Sequence, residues 1–259
     1  KLKYLPNHNY QMAINMGMKI NATLSGDSSL LDKLKTEGIT QPMDIDIQLA
    51  MDGNMKSGAL SSDKTMPMNI DFKFDKLSVS ANGKQAPIPQ TMIGKDLKAT
   101  AHAGQDGLSM VIDSVMGKKT NDSTQKNMQQ MMSLVQKQIK FPDKPMKPGD
   151  SFTQGMPMNI PITKGNDMKM DAGITYKLVS ISDGKAYFDL VPNLNMSITV
   201  KNIAVNMTGT GSGKMVYSIK DNFPLSRDVN FNMKIKVVSE KINVDGTAVI
   251  TMTSNTVIN

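Results

Sequence analysis

Apolar and polar residues alternate with a period of two over much of the chain. Between Tyr10 and Leu24, Tyr10, Met12, Ile14, Met16, Met18, Ile20, Ala22 and Leu24 fall on one side. Gln11, Ala13, Asn15, Gly17, Lys19, Asn21 and Thr23 fall on the other. Successive Cβ atoms of a strand point to opposite faces, so the pattern predicts one strand with an apolar and a polar face. At roughly 3.3 Å per residue it would span about 50 Å, well beyond the common strand length.

The same alternation predicts strands over Met43–Met51, ending at Asp52-Gly53, over Met66–Phe74, and over Leu77–Ala81. The last is closed by Asn82-Gly83, a pair suited to the positive φ angles of a type I′ turn. A short helix carrying Leu30, Leu31 and Leu34 is expected at Ser28–Lys35, capped by Asp27 or Ser28. Gln85–Gln90 bears prolines and reads as a loop, and Leu97–Ala103 and Leu108–Val115 read as a hairpin around Asp106-Gly107.

The period then changes. Met128, Met131, Met132, Val135 and Ile139 fall within about 100° of arc on a helix, the width of a core-facing stripe. A helix is therefore predicted from Asn121 to Ile139, capped by Asp122 or Ser123 and stopped by Phe141-Pro142. Phe141–Asp150, rich in Pro and Gly, forms a seam. Strands resume at Met156–Ile162, Met168–Ile181, Lys185–Val191, Leu194–Val200, Ile203–Met207, Lys214–Ile219, Val229–Val238, Ile242–Val244 and Thr247–Met252, with Asp183-Gly184 and Asp245-Gly246 as further turns.

The expected fold class is mainly β (α+β): long antiparallel strands in one or two strongly curved sheets or open barrels, with one central helix packed across an apolar face. Residues 1–118 form an N-terminal β-rich half, 119–140 the central helix and 141–259 a C-terminal β-rich half, an arrangement also compatible with one continuous domain. Met66-Pro-Met-Asn-Ile70 recurs as Met156-Pro-Met-Asn-Ile160, which hints at two related halves.

Composition narrows the function classes. The 259-residue chain is long enough to bury a large core, and with no cysteine it has neither disulfides nor thiol chemistry. No apolar run approaches the roughly 20 residues of a membrane-spanning helix. The net charge of +7 comes almost entirely from Lys, Arg227 being the single Arg, and Trp is absent. Base-edge and phosphate recognition favours Arg, and single-stranded nucleic acid favours aromatic platforms. The charge therefore reads as a solvated Lys surface, with no nucleic-acid partner; Lys137, Lys140, Lys144 and Lys147 cluster where the helix meets the seam.

Twenty-four methionines are the compositional anomaly. The pairs Met16/Met18, Met66/Met68, Met156/Met158 and Met168/Met170 have the softness to bind Cu(I). Residues i and i+2 of a strand always share a face, however, so a Met-filled core face generates such pairs without a metal. His8 and His102 are the only histidines. Met is also flexible and polarizable, a property of surfaces that adapt to varied apolar ligands.

Catalytic motifs fail on inspection. Gly149-Asp150-Ser151-Phe152 resembles a hydrolase Gly-Asp-Ser block, but both histidines lie upstream and no Asp-x-x-His block follows. Thr208–Lys214 has the look of a phosphate loop without its spacing, and reads as a flexible connection between two strands. Asp44 and Asp46 fall on the polar, wet side of their strand and read as surface carboxylates, not as an acid/base pair. The expectation is a chain that is not an enzyme, with no cofactor and no metal site.

The helix rich in Met and Gln, followed by Phe141-Pro-Asp-Lys-Pro-Met-Lys-Pro-Gly-Asp-Ser-Phe152 and a β-rich second half, resembles an uncharacterised domain-of-unknown-function family of Bacteroidetes-type envelope (lipo)proteins. Tyr4-Leu5-Pro6, Gly213-Lys214-Met215-Val216-Tyr217 and Phe223-Pro-Leu225 fit the same pattern. The resemblance implies export to the periplasm or the outer-membrane surface, lipid anchoring that tethers the chain without spanning the membrane, and no established activity. The beginning at Lys1 fits a trimmed mature form. In architecture the pattern is similar to the open half-barrels of lipoprotein carriers.

The function expected is non-catalytic binding of an apolar or lipid-like molecule in a Met-rich concave sheet face, with Met128, Met131, Met132 and Val135 nearest the ligand. Alternatives are a scaffold or adhesion module that binds glycan or protein through its polar faces, and a Met-rich Cu(I)-binding protein. A transmembrane barrel is disfavoured by the missing aromatic girdles.

Overall fold

The computed structural model describes residues 4–36, 40–86, 94, 96–104, 110–115, 118–119, 139–155, 158–163, 166–200 and 203–259. The protein is mainly β, built from one curved antiparallel sheet. Its strands are β1 (Asn9–Gly26), β2 (Met43–Ser57), β3 (Thr65–Ala81), β4 (Lys84–Gln85), β5 (Asp96–Gly104), β6 (Met110–Val115) and β7 (Lys118–Lys119). The second half contributes β8 (Ser151–Gly155), β9 (Met158–Thr163), β10 (Asn166–Ser182), β11 (Lys185–Val200), β12 (Ile203–Ser218), β13 (Phe223–Val238) and β14 (Ile242–Ile258).

The spatial order is β7-β6-β5-β3-β2-β1-β14-β13-β12-β11-β10-β8, with β4 on β3 and β9 on β10. Each half is a meander of sequential neighbours. The two join where the first long strand pairs with the last, through an unbroken ladder from Tyr10↔Ile258 to Gly26↔Ile242. Among the described residues β7 and β8 stand at opposite ends of this path. The two copies of the Met-Asn-Ile motif are not equivalent in it: Met68–Ile70 lies near the start of the interior strand β3, and Met158–Ile160 in the short strand β9.

Side-chain alternation carries across the ladders. One cross-strand row reads Leu77, Leu49, Met16, Met252, Val229, Gly213, Leu190, Tyr176 and Phe152, from β3 to β8. The adjacent row reads Lys76, Ala50, Asn15, Thr253, Asp228, Lys214, Asp189, Lys177 and Ser151. A one-residue slip anywhere would exchange the faces, so the pattern pins the register.

Asn82-Gly83 and Asp183-Gly184 are turns as expected, with positive φ at both residues (49° and 76°, 51° and 70°). Helix α1 (Ser28–Thr36) also forms where the sequence places it. Asp27 caps it, its Oδ1 accepting from the amides of Ser29 and Leu30 at 2.9 and 3.3 Å. The expected helix at 121–139 and the turn at Asp106-Gly107 lie outside the described residues, apart from Ile139, which is buried.

Five expectations are corrected, one being that Lys185–Val191 and Leu194–Val200 are the single strand β11. β2 runs through Asp52-Gly53, and β14 runs through Asp245-Gly246. Thr208–Lys214 is the middle of the continuous strand β12, not a flexible connection. Met66–Phe74 and Leu77–Ala81 are a single strand interrupted only by a register shift opposite Ala50/Met51. In each case a residue that favours turns serves the sheet. Gly53 faces Phe72 across the ladder, where a Cβ would stand 2.9 Å from the ring, and Gly211 faces Phe231 in the same manner. An aromatic ring laid over a strand glycine restores the packing that the missing side chain forfeits.

The buried core gathers at one end of the sheet, where β1, β3, β11 and β13 begin and β2, β5, β10 and β12 finish. In the first half Tyr4, Tyr10, Met55, Met66, Met68, Ile70, Ala101, Ala103 and Phe223 pack together. In the second half Ile139, Tyr176, Leu178, Ala186, Phe188, Leu190, Met215 and Tyr217 do the same.

Candidate functional site

An irregular lead covers each of these clusters. Residues 4–8 fold back over the first. Tyr10 is fully buried, its ring edge-on to Tyr4 at 5.3 Å and 5.0 Å from Phe223, and its hydroxyl accepts the Leu5 amide at 2.6 Å. Buried Ser57 fastens the same lead, its Oγ donating to the Leu5 carbonyl at 2.6 Å and accepting the His8 amide at 2.9 Å. Over the second cluster lies Phe141, its ring 4.9 Å from Tyr217 and 5.5 Å from Phe152.

Gly149-Asp150-Ser151 belongs to this second cover. The Asp150 carboxylate accepts the Lys147 amide at 2.7 Å, and its main chain pairs with Leu178. The block shapes a loop that enters β8, and Ser151 sits exposed beside Lys177 on the edge. Asp44 holds Asn21 Nδ2 at 2.6 Å on the polar face, and Asp46 accepts from Gln48 at 3.2 Å. His8 Nδ1 lies 2.7 Å from the Pro6 carbonyl oxygen. Among the described residues no three His, Cys, Asp or Glu side chains gather as a metal site, and no helix is long and apolar enough to cross a membrane.

Away from the covered end the apolar face continues, mostly half-buried, with Ala22, Met196, Met233 and Ala248 buried within it. Met12, Ile14, Met16, Met18 and Ile20 on β1, Ile45, Ile47, Leu49 and Met51 on β2, and Val244, Ile250 and Met252 on β14 all retain solvent contact. Every methionine whose exposure is described is buried or half-buried, and those within strands fall on this face. Met16 pairs directly with Met252, and Met196 with Met207. The result is an apolar stripe across at least five long strands, walled at one end by aromatic clusters.

The recesses of the described residues lie mainly on the opposite face. Three of about 540, 580 and 460 Å³ are lined by polar side chains that include Asn21, Asn206 and Lys234, then Asn15, Lys19, Asp46 and Lys76, then Gln11, Asp52, Asn54 and Lys73. A fourth of about 260 Å³ opens beside Phe141, Met146, Phe188 and Tyr217 at the covered end. Met128, Met131, Met132 and Val135, expected nearest a ligand, lie outside the described residues.

Tyr217 and Arg227 bring a phenol and a charge onto the apolar side. Burial pushes the Tyr217 phenol up to about 12, and among the described residues its hydroxyl has no hydrogen-bond partner. Arg227 stands on β13 in line with Val229, Phe231 and Met233, between Met215 and Ser254 on the neighbouring strands. Its Nε is buried and has no partner among the described residues, and desolvation draws the guanidinium below its ordinary value, opposed by the nearby Tyr176. The sequence reading missed this residue because it treated the cations as one solvated surface. The signal was present: continuing the alternation of Val229–Val238 backwards by two places Arg227 on the apolar side.

The chain matches no protein-family model and no curated protein.

Proposed function

We propose that the protein is a non-catalytic component of the cell envelope, exported and tethered rather than membrane-spanning, that binds an apolar or lipid-like molecule along its Met-rich sheet face. The observation that carries this reading is the half-buried apolar stripe beyond the two aromatic clusters. A contiguous apolar face that keeps solvent contact is a common mark of a ligand or partner site. Methionine side chains on that face adjust to ligands of varied shape without a large rotamer cost. An acyl chain that removes about 300 Å² from water gains about 7 kcal/mol gross at roughly 25 cal/mol per Å². Immobilisation offsets part of this, so micromolar affinity is the expected scale.

The test is native mass spectrometry and solvent extraction of protein purified without detergent, with titration of a neutral fluorescent apolar probe such as N-phenyl-1-naphthylamine. Co-purified lipid or saturable probe binding, abolished by Met18→Lys on the half-buried stripe, is expected. A folded protein with neither defeats the proposal.

The polar recesses favour a second reading, a glycan- or protein-binding scaffold that uses Asn, Lys and Thr side chains. Binding of an oligosaccharide panel that survives Met18→Lys and is lost on Asn15→Ala/Lys19→Ala would establish it instead.

A further inference from the structure

We propose that Arg227 is the anion-binding anchor of this face, so that the preferred ligand is an anionic amphiphile: a carboxylate or phosphate oxyanion held by the guanidinium, with its hydrocarbon lying along the methionine stripe. The inference rests on the apolar-ligand reading above and specifies the ligand's head.

The argument starts from placement. The only Arg of the chain occupies an apolar-face position of β13, with Met215 on one neighbouring strand and Ser254 on the other. Val229, the next residue on that face, packs against the Tyr176–Tyr217 cluster. Arg227 is half-buried, its Nε is shut off from solvent, and among the described residues the guanidinium makes no hydrogen bond or ion pair. Isolated buried charge is costly, and Arg does not escape the cost by losing its proton as Lys does. A half-buried guanidinium that has no partner among the described residues is therefore poised for an anion, whose two oxygens match its planar fork.

The surroundings supply the rest of a head-group site. The Tyr217 hydroxyl, two residues along the same face from Met215, is buried and has no partner among the described residues, and the Tyr176 ring on β10 lies within electrostatic reach of Arg227. Gly213, Gly211 and Gly209 on β12 carry no side chains beside Val229, Phe231 and Met233. From this corner the stripe leads through Val229 to Met252 and Met16 by direct cross-strand pairs. Charge sits at the walled end and apolar surface extends away from it, the polarity of an amphiphile.

The test compares cis-parinaric acid with its methyl ester by fluorescence titration of the intact chain, for wild type, Arg227→Gln and Arg227→Lys. The acid is expected to bind wild type about tenfold or more tightly than the ester, the increment of a charge-assisted hydrogen bond. Arg227→Gln should erase that preference, read as the ratio of acid to ester affinity within the variant, and Arg227→Lys should keep part of it. Circular dichroism and retained ester binding show that the variants fold. Equal binding of acid and ester to wild type overturns the anchor and leaves the apolar-ligand reading standing. Failure of both probes overturns both. Acetate or inorganic phosphate that displaces the acid at concentrations near its own would show a small-anion site instead, and also overturns the proposal.

Discussion

Gly211→Ala tests whether the glycines of β12 are strand residues by design or breaks in the sheet. A Cβ built there would stand 2.2 Å from the Asn230 carbonyl oxygen, 2.9 Å from Phe231 Cα and 3.0 Å from Phe231 Cδ2. The first two atoms are main chain of the paired strand and do not rotate away, so β12 and β13 must part locally. Overpacking of this kind costs about 1–3 kcal/mol. Weakening two ladder hydrogen bonds adds about 1 kcal/mol each. Replacing a strand glycine returns about 0.5–1 kcal/mol of chain entropy. The net destabilisation is about 2–4 kcal/mol. Gly17→Ala is the control: its Cβ would meet only Thr251 Oγ1, at 3.0 Å, a side-chain atom on the polar face that turns aside. That variant should stay within about 0.5 kcal/mol of wild type, since the entropy gain offsets the contact. Urea unfolding at constant m-value measures both. A Gly211→Ala midpoint as close to wild type as that of Gly17→Ala would refute the strand pairing through this glycine row.

Ser57→Ala removes the donor to the Leu5 carbonyl and the acceptor of the His8 amide; a loss of about 1–3 kcal/mol in urea unfolding is expected, and no loss would mean that the lead is not held there. Burial holds the Tyr4 and Tyr217 phenols up at about 12, against 10.0 ordinarily. The folded state thus keeps protons that the unfolded chain releases, and this contribution is complete below pH 10 and lost as pH rises towards 12. Wild type should therefore lose more stability over that window than Tyr4→Phe/Tyr217→Phe, and equal slopes would count against the buried phenols. Met16→Leu with Met252→Leu conserves volume and should cost less than about 1.5 kcal/mol, yet narrow the range of acyl-chain lengths bound; an unchanged range in fluorescence titration would show that thioether flexibility is not used.

The alternation from Tyr10 to Leu24 was legible because a half-buried strand writes its two faces directly into the sequence. Strand limits were less so, for a specific reason. Asp52-Gly53 and Asp245-Gly246 are dipeptides of the same kind as Asp183-Gly184, but only the last has positive φ at both residues. Gly53 is required by Phe72 across the ladder, and Gly246 by Asn21 and Ala22, which would crowd a Cβ at 2.9–3.3 Å. These partners are distant in sequence, so a local reading takes the glycine for a turn. The pairing of β1 with β14 was equally hidden, because either strand's pattern is satisfied by any neighbour of matching face. Arg227 was obscured by class: a cation in a Lys-rich chain reads as surface until its position in the alternation is counted.

The distribution of burial links the fold to the proposed role. A sheet stabilised by packing alone has no reason to concentrate its aromatic rings and fastened leads at one end while its longest strands continue, apolar on one side, well beyond them. Extra strand length adds ladder hydrogen bonds worth little net, and each half-covered Met or Ile leaves part of its transfer free energy unrealised. On the proposed reading the arrangement separates two tasks. The aromatic clusters with Ser57 and Asp150 fix the sheet, and the remaining stripe retains apolar area that a ligand can bury. Arg227 lies where the two regions meet, and under the anchor proposal the one delocalised, permanently charged side chain there would give the apolar surface a preferred direction for its ligand.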